Sequence, residues 1–131
     1  MIYSIFEDKN YSSLYPFNIN HPSFDFRCGA YTNLERVSNH LNNEDSIQLV
    51  VREELAGLVK ERYPDLIVNP EIISSGIWLN GRGLWDEAKL NEITSGRTYT
   101  KNNVVVGCHS YDSISLNKFH YHEMGAILVM R

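Results

Sequence analysis

The chain has 131 residues, 43% of them hydrophobic and 21% charged, which suits a single domain with a buried core and speaks against general disorder. A formal net charge of −4 with no lysine or arginine run argues against a broad nucleic-acid surface, although one or two arginines suffice for a local anion site. Cys28 and Cys108, with no CxxC, read as reduced thiols of a cytoplasmic protein, and neither a basic leader nor a membrane-length apolar run is expected.

The segment "IYSIF", residues 2–6, has the length of a buried strand and closes on the polar "EDKN". Between Tyr11 and Cys28, Pro16 and Pro22 exclude a regular helix. Thr32 and Glu35 then make a T-x-x-E capping box, and Tyr31, Leu34, Val37 and Leu41 fall near one face of the helix it starts. "IQLVV" at 47–51 reads as a second strand. A helix is expected over 52–63, with Leu55, Leu58, Val59 and Arg62 on one stripe and Pro64 as its stop.

"LIV" at 66–68 and "IWL" at 77–79 are the next strands. Asp86 caps a third helix, Trp85 and Leu90 have the spacing of a hydrophobic staple, and Ser95-Gly96 ends it. "RTYT" and "VVVGC" flank Lys101-Asn102-Asn103 as a short β-hairpin near the C-terminus, and "AILVM" at 126–130 reads as a last strand. This alternation predicts one α/β domain over 1–131, built on a mostly parallel sheet, with right-handed crossovers placing helices on both faces. Ligands of such sheets sit beyond the carboxyl ends of the strands, where Glu7–Asn10 and Asn80–Gly83 emerge.

Within "LNGRGLWDE", Gly81 and Gly83 let the backbone turn sharply or approach a ligand closely. Arg82 between them can offer a planar fork of donors to a phosphate or carboxylate, and a glycine turn with a solvated arginine gives the same pattern. Arg27 is a second anion candidate, or else an ion pair with Asp25 or Glu7. Glu7 and Asp8 are paired carboxylates at a strand end, a common place for magnesium ligands or ribose contacts and equally for exposed acidic turns. In "HYHE", His120 and His122 would share one strand face, and a metal site would need Glu123, Cys108 or His109 as well. No Walker A loop, G-x-G-x-x-G or G-x-S-x-G is present.

"IFED" followed by "LYPFNINHPSFDFRCGAYTNLER" resembles the opening of a group of sugar nucleotidyltransferases akin to the N-acetylglucosamine-1-phosphate uridyltransferase type. The matching pieces are Phe6-Glu7-Asp8, Leu14-Tyr15-Pro16-Phe17, His21-Pro22, Arg27-Cys28-Gly29 and Thr32 to Arg36; His21 stands where the group usually has arginine. "WLNGRGLWDEAKLNEI" resembles the second signature, and the likeness runs in order from about residue 2 to 106. It implies a Rossmann-like, three-layer nucleotide-binding domain that moves a nucleotidyl group from an NTP to a sugar 1-phosphate, usually with magnesium. Arg27 and Arg82 are the implied phosphate contacts, with Glu7, Asp8, Asn80 and Gly81 as nucleotide neighbours.

The glycine-rich Gly-x-Gly-Thr-Arg loop of the better-studied nucleotidyltransferases is absent. Arg82 follows Asn80-Gly81 where those enzymes carry a metal-binding aspartate. The alternative is therefore a non-catalytic module of the same fold that binds a nucleotide sugar or serves assembly. The expected partners are a nucleotide or nucleotide sugar, and either a second copy of the chain or a downstream β-helix domain of a longer protein; no nucleic acid or membrane is expected.

Overall fold

The five residues of "IYSIF" form β1 (Ile2–Phe6), and the sheet is assembled on both of its flanks. A computed structural model describes residues 1–7, 27–28, 31–81, 85–96, 98–101 and 104–116. After β1 come β2 (Arg27–Cys28), β3 (Tyr31–Thr32), α1 (Asn33–His40), β4 (Ser46–Val50), α2 (Ala56–Arg62), β5 (Ile67–Val68), β6 (Ile72–Ile73) and β7 (Gly76–Asn80). The remaining elements are α3 (Glu87–Thr94), β8 (Tyr99–Lys101), β9 (Val104–Ser110) and β10 (Ile114–Ser115).

Six strands make the main sheet in the order β5-β4-β1-β7-β9-β8. The pairings β5–β4, β4–β1 and β1–β7 are parallel, while β7–β9 and β9–β8 are antiparallel, the last being the hairpin read from "RTYT" and "VVVGC". The fold is thus a Rossmann-like α/β domain with a mostly parallel sheet. From β1 the chain steps to β4 and β5 on one flank, then returns to place β7 on the other. Strand order reverses between β1 and β7.

Period-two alternation divides the strand side chains between two cores. Tyr3, Ile5, Ile47, Leu49, Ile77 and Leu79 cluster with Leu34 and Val37 of α1, Val59 of α2, and Leu90 and Ile93 of α3. Phe6, Val50, Trp78 and Cys108 cluster instead with Ile73 and Ile114, whose strands β6 and β10 pair antiparallel. Helices α1, α2 and α3 therefore share one face, while the β6–β10 ribbon and Leu116, itself helical, pack on the other. The link from β5 to β7, "NPEIISS", is short, holds a proline and two β-branched isoleucines, and forms β6 in place of a helix.

Local signals explain the helix starts. In α1 the Glu35 amide donates to the Thr32 hydroxyl (3.1 Å) and the Thr32 amide to the Glu35 carboxylate (3.0 Å), a reciprocal box. The segment 52–63 begins as a 3₁₀ turn at Glu53–Leu55 before α2; Leu55 and Val59 are buried, whereas Arg62 of the expected stripe is exposed. At α3 the Asp86 carboxylate accepts from the Lys89 amide (2.8 Å), and Trp85 and Leu90 are both buried in the helix-side core. Asp86→Ala is expected to cost about 1 kcal/mol by urea unfolding, and Asp86→Asn, which keeps an acceptor, a few tenths. No described helix is long and apolar enough to cross a membrane. "AILVM", His120, His122 and Glu123 lie outside the described residues.

Candidate functional site

The carboxyl ends of β1 and β7 meet where the strand order reverses, the position at which open parallel sheets leave a crevice for ligands. Phe6 stands in register with Asn80, and the Gly81 amide donates to the Phe6 carbonyl (2.7 Å), carrying the pairing one residue past β7. The Glu7 amide donates to the Val50 carbonyl (3.0 Å), which ties the end of β1 to β4 as well. Glu7, Asn80 and Gly81, three of the residues expected at the site, are therefore brought together by backbone pairing alone.

Their side chains are not equivalent. The carboxylate of Glu7 is buried, and its Oε2 accepts from the Arg52 amide at 3.2 Å. Its Oε1 lies 3.9 Å from the Arg52 guanidinium, with both side chains nearly out of solvent. Beyond β4, the Asn69 side chain donates to the Val51 carbonyl (3.1 Å) and accepts from the Val51 amide (2.8 Å). Asn69 takes a φ of +48° to do so, a left-handed conformation that asparagine tolerates. This braces the edge next to Arg52.

Asn80 is buried, and its carbonyl accepts from the Trp85 indole N–H at 2.9 Å. The buried Asn33, first residue of α1, donates from Nδ2 to the Gly81 carbonyl (2.8 Å), and its Oδ1 accepts from the Trp85 amide (3.4 Å). Thr32, one residue earlier, is the register partner of Arg27 in the β2–β3 pair. The backbone of Arg27 is thus tied, through Thr32 and Asn33, to the end of β7. Asp8 and Arg82 follow Glu7 and Gly81 in the chain but lie outside the described residues, as does the side chain of Arg27.

Arg52, Asn33 and Asn69 were not among the expected residues. Arg52 left a trace, because "IYSIF" and "SIQLV" are parallel runs of equal length, the first followed by Glu7 and the second by Val51-Arg52. Asn33 left little beyond being a polar residue directly after a helix cap. As for magnesium, the described residues contain no group of three histidine, cysteine, aspartate or glutamate side chains able to hold a metal. Glu7, the carboxylate at the end of β1, is already turned to Arg52.

What remains is a backbone-built edge with buried polar braces, suited to hold and orient a ligand at the switch point. No curated protein matches the chain. A family model described as sugar nucleotidyl transferase matches residues 3–124. The matched span runs from within β1 to beyond β10 and includes every residue of the switch-point edge named above. The match covers nearly the whole chain, and the protein belongs to the sugar nucleotidyl transferase family.

Proposed function

We propose that the chain binds a nucleoside triphosphate or nucleotide sugar at the carboxyl edge between β1 and β7, and that it transfers the nucleotidyl group to a sugar 1-phosphate. In that reaction a phosphate oxygen of the sugar 1-phosphate attacks the α-phosphorus in line, the bond to pyrophosphate breaks, and pyrophosphate leaves. The protein's part is to position the two phosphates and offset their charge, the task proposed for Arg27 and Arg82. Asn80 and Gly81 are proposed as nucleotide neighbours, and Asp8 as a polar neighbour beside Glu7. Glu7 itself holds the end of β4 through Arg52.

The observation that carries the reading is the reversal of strand order at β1 and β7, which gathers Glu7, Asn80 and Gly81 at one edge. A second reading, binding of a nucleotide sugar without turnover, is favoured by the engagement of Glu7 with Arg52. A cytoplasmic setting and pairing through an open sheet edge, with a second copy or a β-helix domain, belong to the same proposal; among the described residues β5 and β8 are the outer strands.

Thermal unfolding with UTP or a UDP-sugar, each with and without magnesium, tests the proposal. A ligand at a hundred times its dissociation constant should stabilise the chain by about 2.7 kcal/mol. Stabilisation by UTP only with magnesium, together with pyrophosphate release on adding a sugar 1-phosphate, supports transfer. Stabilisation by the nucleotide sugar alone, without release, supports the binding module. Failure of every nucleotide to move the transition overturns both readings.

A further inference from the structure

A second cleft lies on the helix side of the sheet, over Tyr3 near the amino end of β1. It holds about 390 Å³ and is lined by Tyr3, by His40 at the end of α1, by Asp45, and by Glu87, Asn91 and Thr94 of α3, among others. Glu87, Asn91 and Thr94 stand at i, i+4 and i+7, so they form one stripe along α3. Tyr3 belongs to the helix-side core and is only 3% exposed.

The fold does not use all of the polar groups that meet there. The Tyr3 ring meets the His40 ring edge-on, with centroids 6.3 Å apart and an interplanar angle of 71°. A buried phenol usually finds a hydrogen-bond partner, yet among the described residues nothing bonds the Tyr3 hydroxyl. That hydroxyl is not sealed in the core, so it opens into the cleft that Tyr3 lines. The side chains of Glu87 and Asn91 also have no partner among the described residues. Asp45 is already engaged: its Oδ2 accepts from the Asn42 amide (2.9 Å), and its Oδ1 lies 3.4 Å from the amino group of Met1. The groups left over are one carboxylate, one amide and one phenol.

These groups select a ligand. Among the described residues no lysine or arginine lines the cleft, and two carboxylates there disfavour a phosphate or another anion. His40, Asp45 and Glu87 do not make a metal-holding group. An ammonium suits the unpaired carboxylate of Glu87, and hydroxyl groups on the same molecule suit Tyr3 and Asn91, which both donate and accept. The volume is that of a small-ligand pocket. We infer that this cleft is a second binding site of the chain, for a small hydroxylated primary amine. Glu87 takes the ammonium, and Tyr3 and Asn91 take the hydroxyl groups. The inference does not rest on the nucleotide site, which lies beyond the other end of β1.

Tris and pentaerythritol are matched probes, because they share a shape and differ by an ammonium in place of one hydroxymethyl group. Dimethylolpropionate is the anionic counterpart. Each is titrated at millimolar concentration into the full chain at neutral pH and constant ionic strength, in an amine-free buffer, and followed by two-dimensional NMR. Tris should give saturable shifts at His40, Thr94 and the Asn91 side-chain amide while Phe6 and Gly81 stay in place. Pentaerythritol should bind about tenfold more weakly, and the anion not at all. Glu87→Gln, at an exposed position that leaves the core untouched, should lower the affinity for Tris about tenfold, to that of pentaerythritol. Tyr3→Phe, which removes only the hydroxyl, should lower it about fivefold. Equal binding of all three probes, an unchanged affinity in Glu87→Gln, or no saturable shift at these residues overturns the inference.

Discussion

Gly76→Ala is expected to cost the fold about 4 kcal/mol or more, enough to lower the melting point by roughly 15 °C in a domain of this size. Gly76 opens β7 at a φ of +140°, where a side chain is strained whatever space surrounds it. A methyl group there would also fall against the backbone carbonyl of Ile2. That oxygen belongs to β1 and cannot swing aside as a side chain would. The consequence reaches the far end of the strand, because the parallel register that starts at Tyr3 and Ile77 is the one that sets Phe6 beside Asn80. Gly57→Ala is the internal control. It makes the same chemical change inside α2, where a methyl group meets nothing within 4 Å, and should raise stability by about 0.5–1 kcal/mol. Urea unfolding of the two variants side by side checks the opposite signs; equal effects would show that the close approach to Ile2 is not what constrains Gly76.

How much of this could be read in advance depended on the sequence distance over which each contact acts. Thr32 with Glu35, and Trp85 with Asp86, Lys89 and Leu90, lie within five residues of one another, and the helix starts they define stand as the spacing predicts. The apolar runs of β1, β4 and β7 were equally plain. The ribbon was not, since β6 and β10 have two residues each and join Ile73 to Ile114 across the chain. Without it, nothing in the strand–helix alternation shows that Ile73 and Ile114 pack together on the second face of the sheet. At the site, the ends of β1 and β7 were legible as strand ends and from the family resemblance. The residues that brace them were not: Arg52 meets Glu7 across 45 positions, and Asn33 meets Gly81 and Trp85 across 48 and 52. Only the fold brings such pairs together, and a lone polar residue in the sequence carries no mark of its distant partner.

Glu7→Ala should destabilise the chain by about 3–5 kcal/mol, the penalty for removing one member of a buried charge pair. Glu7→Gln should cost less, about 1–3 kcal/mol, because its carbonyl oxygen can still accept from the Arg52 amide while the charge facing the guanidinium is lost. The two variants also decide what Glu7 does in the nucleotide site. A metal ligand at a strand end directs carboxylate oxygens toward the bound phosphates, and its replacement abolishes the metal-dependent part of nucleotide binding with modest effect on the fold. Here one oxygen faces the Arg52 amide and the other its guanidinium, and the side chain is 1% exposed. On these contacts Glu7 is expected to act as a strut between β1 and β4. The expected result for Glu7→Gln is a lower melting point, with any magnesium-dependent stabilisation by UTP kept in proportion. The reverse outcome, an unchanged melting point with the magnesium-dependent shift lost, would transfer Glu7 from the scaffold to the metal and require its carboxylate to leave Arg52 when the nucleotide binds.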